Sequence, residues 1–240
     1  MRIRVPKLLA TIILTGILLP VAYGAAPDMN QVLQDIDTLA NFEGKDFSCV
    51  YTMVSEKPGE DISVTQARMF RRDTSDQFVL LIMKPEINKG QGYLRVDDNV
   101  WFYDPESRKF ERSTMKENIQ DSETQNSDLN MSSLSDDYAV ANWEEGTLGS
   151  IPVYIMNLEA KHTDVSYEKM KLWVRREPHV ILKEEDYSVN GRLMRTVYYP
   201  KYVTLDGKYI PKQGLILDHI NDGEKTQITL AEPSVTPIPD

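Results

Sequence analysis

One cysteine, Cys49, is all that the 240 residues contain. No internal disulfide can form, and no zinc site can be built from that thiolate alone. Basic residues are also in short supply. Lys and Arg number 27 against 37 Asp and Glu, a net charge of -10. That balance argues against nucleic acid, because phosphate binding needs clustered Lys and Arg. The chain has no Gly-x-x-x-x-Gly-Lys-[Ser/Thr], no Gly-x-Gly-x-x-Gly following a strand and no Gly-x-Ser-x-Gly, so phosphate loops and a nucleophile elbow are not expected. His162, His179 and His219 lack paired ligand spacing and read as surface or hairpin residues. Carboxylates are plentiful, but in an acidic protein a solvated face is their simplest reading. No cofactor or metal is expected, and nothing argues for an enzyme.

What is present begins with an address. Arg2, Arg4 and Lys7 precede the apolar run Leu8–Tyr23, which is broken by Gly16 and Pro20 and followed by small residues. The run is shorter than the roughly 20 residues of a membrane-spanning helix. Residues 1–24 read as a secretory signal peptide cleaved after Gly24, a single N-terminal anchor being the alternative. No cysteine closely follows the run, so a lipoprotein acylation site is missing. Cleavage removes three basic residues and no acidic one, leaving a still more acidic chain. The expected product is an exported, water-soluble protein of one domain over residues 25–240. Its 41% hydrophobic content suffices for a core.

Helical periodicity is clear once, where Met29, Val32, Leu33, Ile36 and Ala40 form one apolar stripe after Pro27-Asp28. Asp28 with Gln31 resembles a capping box, and Gly44 is a plausible stop. From Asp46 onward, strand-like runs alternate with turn chemistry: Lys57-Pro58-Gly59-Glu60, Asp97-Asp98-Asn99, Asn190-Gly191, Asp206-Gly207 and Asp222-Gly223. Successive hairpins make neighbouring strands antiparallel. About eleven strands are expected, more than a flat sheet holds comfortably without curling. Ser113–Asp137, acidic and rich in Ser, Asn and Gln, reads as a long mobile loop with a short helix near Leu129–Tyr138. Cys49 shares a strand face with Tyr51 and Met53 and reads as a buried small hydrophobe.

Phe78–Met83 and Val100–Tyr103 are continuous apolar strands, so both faces of each are expected to be covered. Ten methionines supply soft apolar surface. One sheet face could line a greasy cavity; an ordinary core is the plainer alternative.

Lys89-Gly90-Gln91-Gly92-Tyr93-Leu94-Arg95, the turn 97–99 and Val100-Trp101-Phe102-Tyr103-Asp104-Pro105 resemble a segment of the outer-membrane lipoprotein-sorting family, relatives of the periplasmic carrier LolA. Arg108–Arg112, the Trp173 strand followed by the Asn190-Gly191 hairpin, and the stretches Gly207–Pro211 and Gly223–Thr226 fit the same family order. Residues 130–138 depart from the family's usual segment before its short helix. The resemblance implies a mainly β (α+β) fold: a curved antiparallel sheet forming an incomplete barrel, with helices packed on its concave face.

The resemblance also implies a periplasmic carrier that holds lipoprotein acyl chains or another lipid, phospholipid included, and ferries them towards the outer membrane. An inner-membrane ABC transporter would load it, and an outer-membrane acceptor is a possible destination. Phe78, Leu80, Ile82, Leu94, Trp101, Tyr103, Met156 and Trp173 are the candidate cavity lining, with core membership the alternative for each. The rival reading is a periplasmic lipid- or protein-sensing regulatory module of the same fold. A hydrolase acting on envelope lipids or glycans is the third.

Overall fold

The structure, a computed structural model, describes residues 26–97 and 99–239. The expected leader over residues 1–24 lies outside the described residues. Helix α1 (Met29–Ala40) is capped by Asp28, whose side chain accepts from the Asn30 backbone N–H. Gln31 does not close the capping box; its amide donates to Asp35 instead, at 2.9 Å. The helix stops at Asn41, before Gly44. Its buried side chains are Met29, Val32, Leu33 and Ile36, the stripe read from the sequence.

Thirteen strands follow in one antiparallel sheet. They are β1 (Asp46–Glu56), β2 (Ser63–Arg72), β3 (Gln77–Lys84), β4 (Gly92–Val96), β5 (Asn99–Asp104), β6 (Lys109–Ser113), β7 (Tyr138–Leu148), β8 (Ile151–Ala160), β9 (Lys169–Arg175), β10 (Ile181–Tyr187), β11 (Leu193–Leu205), β12 (Lys208–Asp218) and β13 (Lys225–Ser234). The sheet begins at β6, runs back through β1 to β13, and ends at β7. It is curved and open, since β6 and β7 do not meet. The count exceeds the expected eleven because β7 and β8 form a further hairpin across Gly149-Ser150. Among the described residues no helix is long and apolar enough to cross a membrane.

Two apolar clusters lie on the inner face. One gathers Phe42, Phe47, Cys49, Met53, Met69, Phe78, Leu80, Ile82 and Tyr93 over β1 to β4. The other packs the α1 stripe onto Tyr138, Met156, Leu158, Met170 and Leu172 of β7 to β9. Cys49 is fully buried, as its alternation with Val50 predicts, and burial pushes its thiol up to about 12.

The segment between β6 and β7 differs most from expectation. It is a strap folded across the inner face rather than a mobile loop. Ile119 is completely buried in the first cluster, and Leu129 joins it there. Polar side chains close its turns: Asn126 donates to the Thr114 carbonyl at 2.8 Å, and Ser122 Oγ to the Ile119 carbonyl at 2.7 Å. This local satisfaction of backbone groups lets a segment without repeating structure pack inside the fold. A one-turn helix, α2 (Leu134–Asp137), ends the strap where a short helix was expected.

Candidate functional site

The first cluster reaches Ile210 of β12 and Leu230 of β13, and beside it the middle strands border open volume. A cavity of about 670 Å³ lies there, within the size range of small-molecule sites. Its floor carries Val197 of β11, Ile210 and Ile216 of β12 and Ile228 of β13. Helix α1 contributes Ile36, Leu39 and Ala40, and the strap contributes Met115, Leu129 and Met131. Gly214 leaves room on the floor: a Cβ built there meets nothing closer than 3.9 Å.

The strap is fastened over this cavity by partly buried polar contacts. Asn41 exchanges two hydrogen bonds with the Ser132 backbone, at 2.6 and 2.8 Å. Asp37 accepts from the backbone N–H groups of Leu134 and Ser135 at 3.0 and 2.8 Å. Arg71 donates to the Asn130 carbonyl at 3.0 Å.

One end of the cavity is charged. Alternation along β10 turns Glu184 and Asp186 inward, opposite Val197 and Arg195 of β11. The Arg195 fork grips Asp128 of the strap at 2.7 and 2.8 Å, and its Nε donates to Asp186 at 2.6 Å. Burial works against the Arg195 charge, but Asp128 and Asp186 hold it well above the ordinary arginine range. Burial and then the neighbouring Asp186 push the Glu184 carboxyl well above the usual carboxylate range, with Arg195 opposing. Asp186 also rises by burial, against the pull of Arg195. Rings of Tyr138, Tyr167, Tyr199 and Tyr202 stand around it on the cavity wall, and the Arg195 guanidinium lies 4.9 Å over the Tyr167 ring.

None of the eight candidate residues lines this cavity. Phe78, Leu80 and Ile82 point inward but are sealed in the first cluster beneath the strap. Met156 is likewise sealed, in the second cluster beneath α1. Leu94, Trp101 and Tyr103 point outward. Register places Leu94 opposite Trp101 and Val79, while Tyr93, Arg95 and Phe102 take the inner face. Trp173 also faces out, with Lys183 4.1 Å and Lys171 5.0 Å from its ring centroid. Strands apolar on both faces carry no sequence mark of which face turns inward. The buried Arg95, paired with Asp76, made the true inner face read as the polar one. Nor are both faces covered, because Leu81 remains 42% exposed on the outer side.

His162 and His219 are exposed, the latter in the β12–β13 hairpin, as read from the sequence, while His179 is partly buried. His179 contacts Asp35 at 2.8 Å and His162 contacts Asp137 at 3.0 Å, both on the cavity rim. His219 meets Thr196 at 2.9 Å. The sequence offered one signal for the charged end: in Lys183-Glu184-Glu185-Asp186, alternate positions place two carboxylates on the face shared with apolar neighbours. Outside the cavity, Glu123, Asp218 and Glu224 bring carboxylate oxygens within 4.8 Å of one another. Asp218 is spent on the turn that follows it, accepting from the Asn221 backbone and side chain.

A family model described as "Uncharacterized protein" matches residues 74–240. No curated protein matches the sequence. Among solved structures, a LolA superfamily protein from Nitrosomonas europaea aligns with TM-score 0.78 and 20% identity, over 90% of this chain and 96% of that one. A domain described as an outer-membrane lipoprotein-sorting protein from Vibrio parahaemolyticus gives 0.77 and 17%, over 88% and 93%. A DUF1329 family protein from Desulfovibrio piger gives 0.74 and 18%, over 86% and 91%. At these identities the likeness is one of fold.

Proposed function

We propose that this chain, which belongs to the family whose model matches residues 74–240 and has the LolA-type fold, is a periplasmic carrier of acylated cargo. The observation that carries this reading is the cavity of about 670 Å³ between α1, the strap and β11 to β13. The aliphatic side of this cavity leaves packing unmade that a bound apolar chain can supply. Acyl chains restore it. Each buried methylene is worth about 0.8 kcal/mol, so one chain of some sixteen carbons represents roughly 10 kcal/mol gross. Unaided extraction from a bilayer is correspondingly slow. The chain has no P-loop, so loading falls to a membrane transporter of the ABC class and release to an outer-membrane acceptor.

Mass spectrometry of organic extracts from the protein, purified without detergent from the exported fraction, tests this. The expected result is a stoichiometric phospholipid or acylated polypeptide. Gly214→Leu, which places a side chain in the cavity, should reduce the bound lipid about tenfold while the fold is kept. A lipid-free protein that also binds no fatty acid offered as free monomer, below its micelle concentration, would overturn the carrier reading.

A further inference from the structure

The cations that line the cavity are already committed. Arg71 bonds Asp73 and the carbonyls of Ala40 and Asn130. Arg95 is paired with Asp76, Arg195 with Asp128 and Asp186, His179 with Asp35 and His162 with Asp137. None presents an unoccupied fork to a lipid phosphate. The anionic side is different. Glu184 is more than nine-tenths buried yet faces the cavity. Its neighbours are a long hydrogen bond from the Tyr199 hydroxyl at 3.4 Å and Arg195 at 3.8 Å. Beside it, fully buried Asp186 has an Oδ1 with no hydrogen-bond partner. Three carboxyls thus share one guanidinium. Tyr199 and Tyr202, with ring centroids 6.5 Å apart, and Tyr138 and Tyr167 add aromatic walls.

We propose that the cavity selects amphiphiles with a positively charged amine next to the acyl chain, and that Glu184 receives the ammonium among the tyrosine rings. The inference rests on the carrier reading above. A carboxylate within an aromatic cage is the combination that binds ammonium groups once water is excluded. Any proton on Glu184 leaves to solvent as the ammonium takes its place, so charge is conserved. Acyl chains then lie along Val197, Ile216 and Ile228.

Calorimetric titration of the purified protein with dodecylammonium, dodecyl phosphate and dodecyl maltoside, each below its micelle concentration, separates the cases. The expected order has the ammonium binding about tenfold tighter than the other two. Glu184→Gln, which mimics the protonated carboxyl, should shrink that ratio to about threefold or less, and Tyr199→Leu should shrink it partly. Circular dichroism and thermal unfolding verify that each variant is folded, and the wild-type series decides alone if neither is. Equal affinity for the three headgroups, or a preference that survives in folded Glu184→Gln, would overturn the headgroup inference and leave the carrier reading intact. Failure of all three to bind would remove both.

Discussion

On the inner face, strands of the same apolar character end in opposite ways. Over β2 and β3, Met69, Leu80 and Ile82 are sealed beneath the strap, and Leu80 is completely buried. Over β11 to β13, Val197, Ile216 and Ile228 face the cavity. The strands do not explain the difference, since both stretches alternate and both turn aliphatic residues inward. What differs is the covering segment. Ile119 and Leu129 reach the first region from the strap, and the α1 stripe reaches β7 to β9. Between these two contacts the cover is incomplete: Val197 and Ile216 are still almost fully buried, while Ile228 is only partly so. An apolar strand face fixes that something must cover it, and leaves open whether that something is protein or cargo.

Breaking the charged end of the cavity should have the largest effect. Arg195→Leu leaves Asp186 buried without its partner and frees Asp128 of the strap, and a loss of about 3–5 kcal/mol is expected from urea unfolding. A loss under about 1 kcal/mol would mean that water reaches the cluster. Next comes a direct test of the filled and open regions. Leu80→Ala should cost about 3 kcal/mol, because the sealed cluster cannot collapse around the gap. Ile228→Ala, already facing empty volume, should cost only about 1 kcal/mol. Equal costs would show the cavity closed in solution and dissolve the contrast.

The smallest effect concerns the far side of the strap. Burial, then a hydrogen bond with Glu224 and the nearby Asp218, push the Glu123 carboxyl up to about 7. Its ordinary value is 4.5, so the folded state holds this proton more tightly than the unfolded chain does. Stability from this group is full below about pH 4.5 and lost as the pH rises through 7. Glu123→Gln should therefore unfold at higher urea than wild type at pH 8 and show no gain at pH 4. Parallel pH profiles would show that Glu123 is not coupled to the strap's seating. The group is half exposed, so the effect is modest.

Much of the fold could be read along the chain. The α1 stripe, the Cys49 face and the Asn190-Gly191 hairpin rest on contacts within a few residues, and so does the meander itself. The candidate site could not be read in the same way. Leu94, Trp101 and Tyr103 belong to strands apolar on both sides, where a shift of one residue exchanges the faces. Phe78, Leu80, Ile82 and Met156 point inward, but the strap and α1 seal them, and those contacts span long sequence separations. Glu184 and Arg195 carry only a weak mark in the sequence, because a charged residue in an acidic chain is ordinarily solvated.

Local chemistry determined the strand succession, the antiparallel pairing and the single amphipathic helix, because turn residues and side-chain periodicity act over a few positions. Tertiary structure alone decided where the strap lies, which apolar face is sealed and which is left open, and that Asp128 crosses the sheet to meet Arg195. Those outcomes depend on how far covering segments reach across a curved sheet and on which buried charges find partners there, and both are settled only when distant parts of the chain come together.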